Sequence, residues 1–274
     1  MNYLKLGTEL ITSKSNSLIM KISKLSSKKY RNIDKLFICN GIKLFEEAEK
    51  FGADIRYLIV NDSSVFDDNL INKILKCKKN GTQILCVNEN VFSKLSEENS
   101  PQGIIAVCAY FSTKHRFFTF VENDYSNESV MVFEAIRDPG NIGTIIRNSA
   151  AFGIDRLILS SDCADIYSPK VIRATMGAIF KVKIDIVDDM SSVVECLKKS
   201  GKRVVSTTLG KNSLVLGKNK ISKKDAIIIG NEGHGISDKL IEASDETLFI
   251  PMESNTESLN ASIAAAIIMW ELTK

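Results

Sequence analysis

The sequence has few of the residues that metal sites and disulfide frameworks require. Its 274 residues include only two histidines, His115 and His234, and its six cysteines form no CxxC pair. Structural and catalytic zinc is held by clustered cysteine and histidine side chains, so we expect no metal. Scattered cysteines in a chain of this size are typical of reduced thiols, which favours a cytoplasmic protein.

Long apolar runs are also missing. The longest helical one, at residues 261–270, is about half of the ~20 residues that a membrane span requires. Residues 1–5 (MNYLK) lack the apolar centre of a signal peptide. We therefore expect no membrane partner.

The overall composition is that of an ordinary globular protein. Apolar residues make up 44% of the chain and charged residues 25%. The net charge of +3 permits a nucleic-acid partner without arguing for one. The length predicts one large domain or two ordinary ones.

Short apolar strands alternate with helices in two blocks. The first block has predicted strands at 35–39, 55–60, 83–87 and 103–109, and the second opens with a strongly apolar strand at 130–136. Further predicted elements of the second block include strands at 156–160 and 248–251 and helices at 169–178 and 261–272. Continuous apolar strands between helices predict an α/β fold, with a parallel sheet covered on both faces in the second block. Residues 111–129, aromatic at first and then polar, interrupt this rhythm and are predicted to be a linker.

A basic stretch at residues 23–31 (SKLSSKKYR) stands near the N-terminus. Leu18, Ile22 and Leu25 recur at helical spacing, which predicts lysines on the outer face of a helix. Such a pattern is typical of a solvated helix face. The alternative is a surface that contacts phosphates, with Tyr30 placed to stack on a base.

Four polar turns follow predicted strands in the second block. They are residues 138–143 (DPGNIG), 230–235 (GNEGHG), 251–252 (PM) and 257–260 (ESLN). Open α/β sheets bind ligands at the carboxyl ends of their strands, so these turns predict a binding pocket. A dinucleotide is disfavoured, although Asp162 lies at a suitable distance from the first turn, because the GxGxxG pattern is absent.

Arg147 follows the first turn on an apolar part of the predicted helix. A guanidinium there needs a partner, because it cannot shed its charge. The alternative is an arginine whose stem passes its apolar neighbours to reach water.

Taken in order, these blocks resemble the signature of the SpoU/TrmH family of RNA ribose 2′-O-methyltransferases. The matching pieces are Asn141-x-Gly143-x-x-x-Arg147, Gly230-Asn231-Glu232-Gly233-x-Gly235, and Pro251-Met252 followed by Ser258-Leu259-Asn260. Residues 168–178 (SPKVIRATMGA) also resemble the family, with Thr175 where serine is usual.

The first block resembles the ribosomal-protein-like substrate-binding domain of the same family. The pieces that match include residues 28–31 (KKYR) and 100–104 (SPQGI), whereas Asn40 departs from the glutamate that is common before the glycine. The resemblance implies an RNA-binding domain at 1–112, a linker at 113–128 and a methyltransferase domain at 129–274.

The resemblance further implies a deep trefoil knot in the C-terminal domain, a homodimer, and S-adenosylmethionine as the cofactor. The residues that it implies for cofactor binding are Thr208, Leu209, Gly210, Ile229, Gly230, Asn231, Gly233, Ile250, Pro251, Met252 and Leu259. The catalytic set that it implies is Arg147, Asn141, Glu232, Ser258 and Asn260. For RNA contact it implies Asn16, Lys28, Lys29, Arg31 and Arg173, and this favours the phosphate-contacting interpretation of the basic stretch.

Two roles stay open for Arg147 and three for the whole protein. Members of the family are proposed to use this arginine as a base, but a guanidinium pKa above ~12 leaves almost no neutral form at pH 7. The alternative is an arginine that binds the adjacent phosphate and stabilises a developing alkoxide. The substrate that we expect is 23S ribosomal RNA; the alternatives are a transfer RNA methyltransferase and a non-catalytic RNA-binding or assembly factor.

Overall fold

The computed structural model describes residues 8–96, 100–111, 124–208, 213–231, 233–253 and 258–274. The chain divides into two compact units. The first comprises Met1–Phe111 and Asp165–Phe180, and the second comprises Ser112–Ala164 and Lys181–Lys274. The first unit therefore takes in a short segment from far along the sequence.

The N-terminal half of the chain alternates strands and helices as the sequence predicts. Its elements are β1 (Leu10–Ile11), α1 (Ser17–Ser23), α2 (Lys28–Asp34), β2 (Leu36–Asn40), α3 (Ile42–Lys50), β3 (Ile55–Asn61), α4 (Asp68–Lys79), β4 (Gln83–Val87), α5 (Glu89–Leu95) and β5 (Ile104–Ala109). The strands form a mixed sheet in the order β1-β4-β3-β5-β2, in which β5 runs antiparallel to both of its neighbours.

The C-terminal half contains the larger sheet. Its elements are β6 (Val130–Phe133), α6 (Pro139–Phe152), β7 (Arg156–Ser160), α7 (Pro169–Thr175), β8 (Lys183–Val187), α8 (Met190–Lys199), β9 (Arg203–Thr207), β10 (Leu214–Val215), β11 (Asp225–Ile229), α9 (Asp238–Ala243), β12 (Glu246–Phe249) and α10 (Ala261–Leu272). Among the described residues, seven strands pair in the order β10-β12-β9-β11-β6-β7-β8, and every pairing is parallel.

The apolar runs of the sequence explain why this sheet is parallel. β11 is buried along its whole length between β9 and β6. Strands covered on both faces need apolar side chains at consecutive positions rather than at alternate ones. The α/β fold, with a mixed sheet in one unit and a parallel sheet in the other, is confirmed; the trefoil knot stays a prediction.

Several element boundaries differ from the sequence-based prediction, and the strand predicted at 130–136 ends at Phe133. The strand predicted at 248–251 ends at Phe249, two residues before Pro251, because proline has no N–H for the ladder. The helix predicted at 169–178 ends at Thr175, where Met176 and Gly177 take φ values of 50° and 91°. The two-residue strands β1 and β10 were missed, since so short a pairing leaves no periodic pattern.

The segment Asp165–Phe180 packs within the first unit, although it falls inside the sequence range predicted for the methyltransferase domain. Its helix α7 packs against β2. The domain limits of 1–112, 113–128 and 129–274 therefore stay a prediction. Each compact unit of the structure consists of two separate stretches of the sequence. In the part of the chain that the structure describes, no helix is long and apolar enough to cross a membrane.

Candidate functional site

A cavity of about 580 Å³ opens at the carboxyl ends of β9, β11 and β12, within the second unit. Cavities of roughly 300–1,000 Å³ are typical of small-molecule and cofactor sites. Eight of the residues that the resemblance implies for cofactor binding line it: Thr208, Ile229, Gly230, Asn231, Gly233, Ile250, Met252 and Leu259. Pro251 is exposed and is not among the lining residues.

Gly230 allows the loop after β11 to fold back on itself. Asn231 and Gly235 exchange two backbone hydrogen bonds of 3.0 and 2.9 Å, which close the loop. A Cβ atom at Gly230 would lie 2.2 Å from the carbonyl oxygen of Gly235 and 2.5 Å from the amide nitrogen of Ile236. Only glycine therefore fits at this position, because the obstructing atoms belong to the backbone.

The side chain of Asn231 fixes the same loop from inside. Its Oδ1 accepts hydrogen bonds from the amides of Gly233 (2.8 Å) and His234 (3.2 Å). Its Nδ2 donates to the carbonyl oxygen of Ala135, at the end of β6 (2.9 Å). The loop is thus held in one shape against the neighbouring strand.

The remaining walls combine apolar side chains with ordered polar groups. Ile229, Ile250 and Leu259 supply apolar surface of the kind that covers the face of a purine. The amide of Thr208 donates to the carbonyl oxygen of Leu248 at 2.9 Å, which joins the loop after β9 to β12. A flat apolar slot beside backbone donors and acceptors suits a nucleoside cofactor such as S-adenosylmethionine.

Two residues of the predicted catalytic set meet where α6 and α10 begin. The Nδ2 of Asn260 donates to the Oδ1 of Asn141 at 2.9 Å. Asn260 is also the N-cap of α10, since its Oδ1 accepts from the amides of Ser262 and Ile263. The other helix is capped by Asp138, whose carboxylate accepts from the amide of Asn141 at 2.8 Å. The two asparagines therefore connect the two helix starts.

The other members of that set are placed separately. Ser258 is exposed and lines the cavity. Arg147 lies on the exposed side of α6, whereas Ile142, Ile145 and Ile146 of the same helix are buried. The salt bridges between described residues do not include Arg147. Glu232, Leu209 and Gly210 lie outside the described residues.

The basic stretch is divided between the surface and the interior of the first unit. Lys28 and Lys29 are exposed on α2, and the amino groups of Lys24 and Lys29 lie 5.3 and 5.9 Å from the centre of the Tyr30 ring. We call Lys24, Lys28, Lys29 and Tyr30 the basic surface. Of the other residues implied for RNA contact, Arg173 is exposed on α7 and Asn16 caps α1.

Arg31 is not part of this exposed surface. Only 3% of the residue is accessible, and its guanidinium donates to the carbonyl oxygens of Leu25 (2.8 Å) and Ser26 (2.6 Å) and to Asp165 (2.7 Å). The sequence pattern favours exposure because Arg31 follows two lysines, but the helix turns its side chain inward. Removing one partner of a buried ion pair costs about 3–5 kcal/mol, so Arg31 has a structural role in this unit.

A second cavity, of about 490 Å³, adjoins the first along the ends of β6 and β7. Asn231, His234 and Gly235 line both cavities. Glu134 borders it and accepts hydrogen bonds from the amide and the hydroxyl of Ser237, each at 2.8 Å. Sequence reasoning missed this cavity, since its lining residues come from several strand ends without a shared motif. Among the described residues, no group of acidic, cysteine or histidine side chains could hold a metal ion.

Comparison with protein families gives two matches along the chain. Residues 128–270 match the SpoU rRNA methylase family, and residues 16–106 match the MRM3-like substrate binding domain. Together these two matches cover most of the sequence and follow the order of its two blocks.

Individual relatives are similar over most of the chain. A 23S rRNA (guanosine(2553)-2′-O)-methyltransferase of Bacillus subtilis is 31% identical, with 96% of this chain and 98% of the relative covered. A 23S rRNA (guanosine-2′-O-)-methyltransferase of Coxiella burnetii is 26% identical over 76% of this chain and 83% of its own. The crystal structure of an AdoMet-bound rRNA methyltransferase from Sinorhizobium meliloti has a TM-score of 0.84 at 27% identity, and 96% of each chain is covered.

The two loop glycines provide a matched pair of variants. We expect Gly230→Ala to lower the affinity for S-adenosylmethionine at least tenfold, because the new Cβ atom collides with backbone. Gly233→Ala, in the same loop, should cost less affinity, since the nearest described atom to its Cβ atom would be Asn231 Oδ1, at 3.4 Å. Isothermal titration calorimetry measures both affinities, and melting curves show whether each variant is folded. Equal affinities in the two folded variants would contradict the loop's role.

Proposed function

This chain belongs to the SpoU rRNA methylase family, and we propose that it methylates a ribose 2′-oxygen of a guanosine in 23S ribosomal RNA. Transfer of a methyl group from S-adenosylmethionine to rRNA ribose is the activity of the family. The 23S molecule and the guanosine are the finer parts of the proposal. They are supported by the similarity to the two 23S rRNA guanosine methyltransferases.

The observation that carries the proposal is the glycine-closed cavity beside the paired asparagines. The loop of Gly230 and Asn231 would hold the cofactor through its backbone, with Ile229, Ile250 and Leu259 against the purine. When bound there, S-adenosylmethionine supplies an electrophilic methyl group on a sulfonium centre. Ser258 lines the same cavity and would reach the reacting end of the substrate.

The chain's own residues must place the ribose hydroxyl and stabilise its oxygen as the hydroxyl proton passes to water. Holding the reacting atoms in line can supply about 7–11 kcal/mol of the lowering of the barrier in such a transfer. The hydrogen bond between Asn260 and Asn141 fixes both amides beside the cavity, where they can orient the ribose. We assign to Arg147 the binding of the adjacent phosphate and stabilisation of the developing alkoxide, since the residue is exposed and a guanidinium can donate two parallel hydrogen bonds to phosphate oxygens. Glu232, predicted to orient that guanidinium, belongs to the same proposal.

RNA binding is assigned to the first unit. The basic surface combines three ammonium groups with an aromatic ring, which suits phosphates next to an unstacked base. Arg173 on α7 is a further exposed cation of this unit. Asn16, the N-cap of α1, is also assigned to RNA contact.

A homodimer is the second part of the proposal. Ile263, Ile267 and Trp270 are 51%, 37% and 56% exposed on α10, and their spacing puts them on one face of the helix. Trp270 also meets Phe152, at the end of α6, with ring centres 6.0 Å apart. Such an apolar face beside the helix of Arg147 fits a second copy of the chain, which would bring its own Arg147 close to the cavity.

The protein is also proposed to act in the cytoplasm. All six of its cysteines are free thiols, and five of them are buried. Proteins of oxidising compartments use such residues for disulfides.

The activity assay compares ribosomal with transfer RNA. With radiolabelled S-adenosylmethionine, we expect 23S rRNA to accept methyl groups and tRNA to accept none.

Arg147→Ala should lower the rate of methyl transfer about 10²–10³-fold, as loss of one transition-state donor does, without changing cofactor affinity. Arg137→Ala, an exposed arginine of the same unit, is the matched control. Near-normal turnover by Arg147→Ala would show that this side chain has no part in the mechanism. Methylation of tRNA would show that the substrate is transfer RNA and contradict the proposed 23S rRNA.

The dimer has its own test. Trp270→Glu puts a charge on the apolar face of α10, so we expect a monomer in sedimentation velocity where the parent is a dimer. Ile33→Glu makes the same change at a residue of the first unit that is 64% exposed, and should leave the dimer intact. A parent protein that sediments as a monomer, or a dimeric Trp270→Glu variant, would contradict this assignment.

A further inference from the structure

Arg31 links two parts of the first unit that lie 134 residues apart in the sequence. One guanidinium nitrogen bonds the carbonyl oxygens of Leu25 and Ser26, which belong to the turn before α2. The other bonds Asp165 at 2.7 Å, and the two side chains are only 4% and 14% exposed. Water therefore has little access to weaken the pair.

Asp165 in turn shapes the start of α7. Its second carboxylate oxygen accepts from the amide of Tyr167 at 2.9 Å, and its carbonyl oxygen accepts from the amide of Ser168 at 3.0 Å. Ser168 is the N-cap of α7, with its hydroxyl accepting from the amide of Val171. A single carboxylate thus connects Arg31 to the helix that carries Arg173.

Aromatic packing completes the same junction. The ring of Tyr167 stacks on Tyr110 with centres 3.8 Å apart, and it lies 5.0 Å from the ring of Phe37 on β2. Burial is the main cause that raises the pKa of the Tyr110 hydroxyl, so this ring stays neutral at physiological pH. Phe180, at the other end of the segment, packs 6.4 Å from Phe37.

Gly177 also ties the segment to the body of the unit. A Cβ atom at this position would lie 2.6 Å from Cγ and 2.8 Å from Cβ of Glu47, on α3, and its φ of 91° favours glycine. The segment is therefore held at its start and near its end by residues of the first unit.

From these contacts we propose that Arg31 is a positioning residue for RNA binding: with Asp165, it holds the basic surface and α7 in one arrangement. Arg31 acts through the turn that carries Lys24 and precedes Lys28, and through Asp165 on the placement of Arg173. It touches no phosphate itself. The proposal rests on the assignment of rRNA as the substrate and adds a residue to its recognition.

The removal of Asp165 distinguishes this role from direct phosphate contact. If Arg31 bound RNA directly, Asp165→Ala would free the guanidinium and remove a negative charge, so RNA affinity would stay the same or rise. Under the positioning role the same change weakens RNA binding, since the turn before α7 and the anchor of Arg31 are both lost. The two interpretations therefore predict effects of opposite sign.

The experiment measures RNA affinity, steady-state kinetics and hydrogen exchange on the full chain. We expect Asp165→Ala, Arg31→Met and Arg31→Lys each to raise the KM for 23S rRNA about tenfold, with kcat and the affinity for S-adenosylmethionine unchanged. Arg31→Lys keeps the charge but cannot serve three acceptors in the same fixed fork geometry. The double variant with Arg31→Met and Asp165→Ala should have a KM for 23S rRNA no higher than that of the more affected single variant, because the two residues act together.

Lys28→Met is the matched control on the same helix. Because this variant is expected to lose one direct phosphate contact, it should weaken RNA binding and reduce the slope of log affinity against log salt by about one. Its amides should exchange as in the parent, whereas the Arg31 and Asp165 variants should exchange faster at residues 36–40 and 167–175. Amides of β11, at 225–229, serve as the internal reference in the second unit.

Two results would overturn the proposal. One is RNA affinity in Asp165→Ala or Arg31→Lys equal to or above that of the parent. The other is unchanged exchange at 36–40 and 167–175 in all three single variants. Failure of the proposed function would look different: the parent itself would then neither bind nor methylate 23S rRNA, while the exchange measurement would still report on the Arg31–Asp165 pair.

Discussion

The parallel direction of the strands in the larger sheet is the constraint on which the site depends. Because β9, β11 and β12 run the same way, their carboxyl ends and the loops that follow them meet at one edge. Backbone groups at such an edge have no ladder partners, so they are available to a ligand. The close approach of Gly230 to Gly235 then shapes the edge into a cavity, and the start of α10 closes one side of it.

The order of the sheet also explains why distant parts of the sequence act together. β6 lies beside β11, so the carbonyl oxygen of Ala135 at its end receives the side chain of Asn231. α6 begins directly after β6, and its Asn141 meets Asn260 from the last helix of the chain. Residues 119 positions apart are thereby joined by one hydrogen bond. Leu259 and Ala261, on either side of Asn260 in the sequence, line the cavity.

Much of the fold could be predicted because its strands are continuous apolar runs and its turns are rich in glycine. The strands at 83–87 and 156–160 and the helix at 261–272 were predicted with the bounds that the structure has. The larger departures have physical causes: Pro251 follows its strand instead of ending it, and the positive φ values of Met176 and Gly177 shorten α7. The eight cavity residues could be predicted from the family resemblance, because they lie at the ends of strands, in the loops that follow them, or just before α10.

The direction in which each side chain points could not be read from the same patterns. Arg31 follows Lys28 and Lys29 in a stretch that reads as uniformly basic, yet its guanidinium is buried against Asp165. Arg147 sits among isoleucines in the sequence, yet it is exposed on α6. The acid that holds Arg31 inward, Asp165, lies 134 residues away in the sequence. The surface that Arg147 is proposed to face belongs to a second copy of the chain. Helical spacing alone therefore cannot show either orientation.

Methylation of a guanosine ribose in 23S rRNA, the activity that we propose for this protein, can be tested in cells. The most direct measurement maps ribose 2′-O-methylation across all ribosomal and transfer RNAs from cells with the gene, without it, and with the Arg147→Ala form. We expect one 23S guanosine whose methylation disappears with the gene and is not restored by Arg147→Ala. A 23S rRNA with unchanged methylation, together with a lost mark on a tRNA, would contradict it.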